Sequence, residues 1–109
     1  MTKKEQFKLS FQKWQDPITK RIKCLCRRTE PSSFNILQGI EDFSKNEVIG
    51  FISEIHNAQQ GLYYQKEFLT DVFYTIEIIP PNVVIDENFT VPMSEIKGLL
   101  EEWLVFIDS

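Results

Sequence analysis

The chain reads as an α+β domain, with about four helices packed on a small antiparallel sheet, and three observations predict it. A capped amphipathic run at 45–59 and an apolar run at 93–107 have helical period, and two β-branched runs at 72–79 and 83–86 flank a proline pair. An all-helical bundle is the alternative, because Leu62, Leu69, Val72 and Ile76 can also share a helical face. The length of 109 residues suits a single domain, 1–109. Fourteen aromatics, nine of them Phe, supply the apolar area for one core.

Phe7, Phe11, Trp14, Ile18, Ile22 and Leu25 fall at steps of three or four, with lysines and arginines between them. This stripe predicts helices at 3–14 and 17–28, or one kinked helix, with Asp16 as N-cap and Pro17 in the first helical position. Phe7, Leu9 and Phe11 also alternate, so a strand at 7–11 stays open. Thr29–Ser33, with Pro31, reads as a loop.

The segment from Phe43 has the clearest local signals. Ser44 and Glu47 stand at capping-box spacing, and Phe43 and Val48 occupy the two positions of a hydrophobic staple. Val48, Phe51, Ile52 and Ile55 follow on one face, and Gly61 supplies the stop. Gly50 costs such a helix about 1 kcal/mol relative to Ala and suggests a close contact. The runs at 72–79 and 83–86 read as strands around Pro80-Pro81-Asn82, the prolines placed where no ladder donor is needed. From Pro92 onward, Met93, Ile96, Leu99, Leu100, Trp103, Leu104 and Ile107 form a wide apolar stripe, with Glu95 in the first turn to suit the helix dipole. Phe43, Val48, Ile52, Trp103 and Ile107 are therefore expected in the core.

Charge is unevenly distributed. Residues 1–28 hold nine basic residues against Glu5 and Asp16, whereas 29–109 hold Lys45, Lys66 and Lys97 against fourteen acids. Either the basic segment packs on the acidic body, or one of the two binds a partner. The basic cluster Lys20, Arg21, Lys23, Arg27 and Arg28, with Trp14 nearby, is the footprint a nucleic-acid binder needs. No known nucleic-acid motif accompanies it, and the pI near 5.0 opposes it.

No catalytic site is predicted. One histidine, His56, and the pair Cys24 and Cys26 fall short of a four-ligand zinc set, and the four glycines are scattered rather than gathered in a phosphate loop. Adjacent acids such as Glu41-Asp42 and Asp86-Glu87 read as solvated faces. No metal and no cofactor is expected. No leader-like apolar stretch or membrane span is visible, which, with two unbridged cysteines, predicts a cytoplasmic protein.

The stretch Asp42-Phe43-Ser44-x-x-Glu47-Val48-Ile49, continuing through Ile55-x-Asn57-Ala58, resembles the first helix of the colicin-type DNase immunity family. Pro92 to Phe106 is similar to the closing helix of several toxin-immunity families. The likeness covers about a third of the chain and departs where that family's four-helix fold meets the strand-like run from Val72 to Ile85. Tyr63-Tyr64 also follows Asn57-Ala58 too closely to match its toxin-contacting segment, so no binding residue is carried over. The resemblance implies a class: a small acidic protein that binds and neutralises a protein toxin. A nuclease must be basic where it grips phosphates, and an acidic inhibitor gains association rate from steering. On that expectation the partner surface is acidic and aromatic: Glu41, Asp42, Glu54, Tyr63, Tyr64, Asp71 and Asp86. A nucleic-acid-associated regulator using the basic N-terminal segment is the runner-up, and a small enzyme comes third.

Overall fold

A computed structural model describes residues 1–109. The order is α1 (Lys3–Gln6), β1 (Leu9–Gln15), β2 (Ile22–Arg28), a 3-10 helix (Ser33–Asp42), α2 (Lys45–Gln59), β3 (Ile76–Ile79), β4 (Asn82–Ile85), β5 (Phe89–Pro92) and α3 (Met93–Ile107). Strands β1 and β2 pair antiparallel as one two-stranded sheet, and β3-β4-β5 form a second antiparallel sheet. The α+β class is as the sequence predicts. No helix is long and apolar enough to cross a membrane.

The two C-terminal helices form where local signals place them. In α2 the Ser44 hydroxyl accepts from the Glu47 amide at 3.1 Å, and the Glu47 carboxylate accepts from the Ser44 amide at 2.9 Å. Gly61, at φ +71, takes the left-handed position just beyond the helix end. Val48, Phe51 and Ile55 of α2, and Met93, Ile96, Leu99, Leu100 and Trp103 of α3, are buried. They share one apolar cluster with Ile76 and Ile78 of β3, Val83 and Ile85 of β4, and Val91 of β5. The register Ile76↔Ile85 and Ile78↔Val83↔Val91 puts these five side chains on one face of the sheet. Phe43, Val48 and Trp103 are buried as expected, while Ile52 and Ile107 pack half-buried at the margin.

The N-terminal helices predicted at 3–14 and 17–28 are not present. Helix α1 ends after one turn, Lys8 takes φ +58, and the chain reverses through Asp16–Arg21 as a β-hairpin. The alternation seen at 7–11 wins and extends to Gln15. Leu9, Phe11, Cys24 and Cys26 face inward, whereas Trp14, Ile18 and Ile22 of the supposed helical stripe are exposed. Asp16 caps as its sequence suggests, but it caps a turn: its carboxylate accepts from the amides of Ile18 at 2.7 Å and Thr19 at 3.0 Å. Lys20, at φ +64, then closes the hairpin where a helix would have continued.

Three further differences shape the fold. The segment after Pro31 forms a 3-10 helix, in which Phe34, Leu37 and Ile40 recur every third residue and so eclipse along one inward side, with buried Phe43 as the extended cap just beyond it. Strand β3 begins at Ile76 rather than Val72, because Lys66–Phe68 is the stretch that lies beside it. The Phe68 amide donates to Ile76 at 2.9 Å and the Ile78 amide to Lys66 at 2.7 Å, so residues 69–75 must form the connecting loop. Strand β5, unanticipated, joins the sheet immediately before Pro92 leads into α3.

The basic segment is partly neutralised by the body. Lys3 pairs with Glu95, Lys8 with Glu30 and Arg27 with Glu41. Glu102 of α3 accepts from the backbone amides of Lys3 at 2.6 Å and Lys4 at 3.0 Å, which ties α1 to the C-terminal helix. The hydrogen bond from Lys3 holds the Glu95 carboxyl below the usual range.

Candidate functional site: an acidic, aromatic recess

The loop that follows α2 is held against that helix by aromatic and polar contacts. Phe68 stacks on Phe51, with ring centroids 4.8 Å apart, and meets Phe43 edge-on at 6.4 Å. Thr70 donates its hydroxyl to Glu47 at 2.8 Å and accepts from the Val72 amide at 3.1 Å. The Ser44 amide first, and then Thr70, lower the Glu47 carboxyl below its ordinary range. At the far side, the Asp86 carboxylate accepts from the Thr75 amide at 3.1 Å, and the Asp86 amide donates back to Thr75 at 2.8 Å. The loop is thereby fastened at both ends; Val72 and Phe73 between them pack on the core, and Leu69, Asp71 and Tyr74 face outward.

A recess of about 180 Å³ lies between this loop and β3. Glu67, Glu77 and Glu87 bring carboxylates to its lining, with Leu69 and Tyr74 beside them. Glu67 stands directly opposite Glu77 across the bridge, a like-charge pairing that costs stability in a sheet, and only Lys66 relieves it, at 3.8 Å from Glu77. Glu87 holds φ +64, where glycine would be cheaper by about 1 kcal/mol. Leu69 is 85% exposed, Tyr74 96% and Tyr63 82%. Large apolar groups left in water among acids, of which Glu67 and Glu87 have no ion pair, are the makings of a protein-binding surface. No group of three or more His, Cys, Asp or Glu side chains is arranged to hold a metal ion.

The residues expected at a partner surface fall in different places. Asp71 and Asp86 come together at a shallow hollow beside Tyr74. Glu54 of α2 accepts from the Gln65 amide at 2.7 Å, and the Tyr63 hydroxyl accepts from the Gln65 side chain at 3.3 Å, so Gln65 links the helix to the start of the loop that carries Tyr63. Tyr64 is half-buried against the core. Asp42 is exposed at the end of the 3-10 helix. The Glu41 side chain is 7% exposed and bound to Arg27 at 3.2 Å, so it serves the fold. Glu67, Leu69, Tyr74, Glu77 and Glu87 were missed, since reading 72–79 as one strand hid the loop that displays them. No local signal marks them, because Leu62, Leu69, Val72 and Ile76 fit a helical face and 72–79 a strand, while the pairing of Lys66–Phe68 with β3 that gathers them is made across the loop.

The cysteines and the histidine lie on different elements, β2 and α2. Cys26 is fully buried with its thiol 3.9 Å from the Leu37 carbonyl, and burial, aided by the Glu41 charge, pushes its pKa up to about 12. Cys24, two residues away on the same strand face, is also a free thiol. His56 is exposed on α2. No known protein family, curated protein or solved structure matches this chain.

Proposed function

We propose that the protein is an inhibitor of the immunity type, which binds a basic protein toxin through the recess formed by the 62–75 loop and β3. The observation that carries this reading is the display of Leu69 and Tyr74 in water among Glu67, Glu77 and Glu87. Carboxylates steer a basic partner and enforce specificity, while desolvation of the exposed leucine and tyrosine supplies most of the affinity. Blocking a toxin requires no bond-making by the inhibitor, which accords with a site built from acids, apolar and aromatic groups and two threonines.

Growth of cells expressing the toxin encoded beside this chain, with and without the chain, tests the reading. Protection is expected from the wild-type protein and is expected to fall for Tyr74→Ala and for Glu67→Lys with Glu87→Lys. Each aromatic anchor removed from such an interface costs about 2 kcal/mol or more of binding. A wild-type chain that neither binds nor protects refutes the proposal. The nucleic-acid reading is favoured by Lys20, Arg21 and Lys23, none of which enters an ion pair. It weighs less, because these few cations sit on a chain with net charge −4.

A further inference from the structure

The β1–β2 hairpin is a separate surface that the toxin reading leaves unused. Its base is seated: Phe11 meets Trp103 edge-on at 5.0 Å, and the Lys13 ammonium donates to the Ser109 carbonyl at 2.5 Å. Beyond that point the hairpin becomes an arm with apolar side chains in water, Ile18 being 89% exposed, Ile22 64% and Trp14 50%. Lys20, Arg21 and Lys23 surround them without an acidic partner. The one acid of the turn, Asp16, is committed to the amides of Ile18 and Thr19. An isolated two-stranded ribbon is marginal in water, and exposed isoleucines at its tip add to that cost. Such an arm needs a partner that is acidic and has an apolar floor.

We propose that this arm docks into the acidic recess of a second copy of the same chain, with Ile18 entering beside Leu69 and Tyr74 while Lys20, Arg21 and Lys23 meet Glu67 and Glu87. The two surfaces complement each other in charge, and each exposes apolar groups that the other can cover. A recess of about 180 Å³ admits one aliphatic side chain at the tip of a hairpin. A nucleic acid fits the arm less well: its backbone offers nothing to Ile18 and Ile22, and the acidic body repels it at short range. The contact joins two different patches, so it is head-to-tail and propagates into a ring or an open chain. It uses the recess that the toxin reading uses, so a docked arm and a bound toxin exclude each other, but it is tested on this chain alone with no toxin present.

Sedimentation velocity of the full chain, from low to high micromolar concentration in about 50 mM and about 500 mM salt, tests this. The expected result is a mass that grows with concentration at low salt and returns to that of the monomer at high salt. Two charge-reversed variants, Lys20→Glu/Arg21→Glu/Lys23→Glu and Glu67→Lys/Glu87→Lys, are each expected to weaken association by more than about tenfold. Mixing the two variants is expected to restore it, because each reversed arm then meets a reversed recess and each native arm a native recess. Ile18→Ser, at an exposed tip that holds no core contact, is expected to weaken association with the circular dichroism spectrum unchanged. A chain that stays monomeric at every concentration, association indifferent to either reversal, or variants that fail to complement overturn the proposal. So does tight, salt-steep binding of a fluorescent oligothymidylate that the arm reversal abolishes.

Discussion

Replacing Trp103 with alanine tests the central packing of the fold and the anchoring of the arm together. Trp103 is 1% exposed and touches Phe11 edge-on at 5.0 Å and Phe106 in a stack at 5.8 Å. Truncation of a buried tryptophan costs about 3–5 kcal/mol through lost transfer energy and the cavity left behind. Two aromatic pairs are lost as well, each worth about 0.5–1.5 kcal/mol beyond area. Against this, the indole Nε1 is buried without a hydrogen-bond partner, so its removal returns about 1–3 kcal/mol of desolvation. The expected net loss is about 4 kcal/mol, which lowers a urea midpoint by roughly 1–4 M at the usual dependence on denaturant. Hydrogen exchange should also rise selectively in the β1–β2 ladder, because Phe11 loses the partner that seats the hairpin base. A midpoint shift below about 1 kcal/mol equivalent, or hairpin amides as protected as before, would refute this account of the core.

Gly50→Ala is expected to stabilise by about 0.5–1 kcal/mol, since the added Cβ would lie 3.8 Å from the Phe68 ring, an ordinary contact, while helix propensity improves; thermal unfolding reads it. Gly39→Ala should destabilise by about 1–3 kcal/mol in the same assay, because its Cβ would come within 2.8 Å of the Phe73 ring. Glu47 has a lowered folded-state pKa, so the stability it contributes is present above the ordinary carboxylate pKa and is lost as pH falls through the folded value. Between neutral pH and acid, wild type should therefore lose more stability than Glu47→Gln, and parallel pH profiles would contradict this. Treatment of the folded protein with iodoacetamide at mildly alkaline pH should modify Cys24 and spare Cys26, whose buried thiol stays protonated; mass spectrometry showing equal labelling would argue against that burial.

Helices α2 and α3 were legible because their determinants are local. Ser44 reaches Glu47 within one turn, Gly61 ends α2 by its own conformational freedom, and the stripe from Met93 to Trp103 needs only an apolar surface to face. Strand β4 was legible for the same reason, as three β-branched residues after a proline turn. The excess of acids over 29–109 could be read from composition, and the structure sets Asp71 and Asp86 at one hollow and Glu54 of α2 against Gln65 of the following loop. The recess-lining residues Glu67, Tyr74 and Glu87 could not be singled out. Their convergence depends on Lys66–Phe68 pairing with β3, a match across about ten residues that leaves no local mark.

The N-terminal third was decided by tertiary structure. Residues 7–25 carry a helical stripe and a strand alternation at once, and by local propensity either can form. The strand face wins because its inward residues find partners far along the chain: Phe11 meets Trp103 and Phe106, and Cys26 lies against Leu37. A helix finds its hydrogen bonds within its own segment. A strand finds them in another segment and its burial in a third, so its stability belongs to contacts that a single stretch of sequence does not contain.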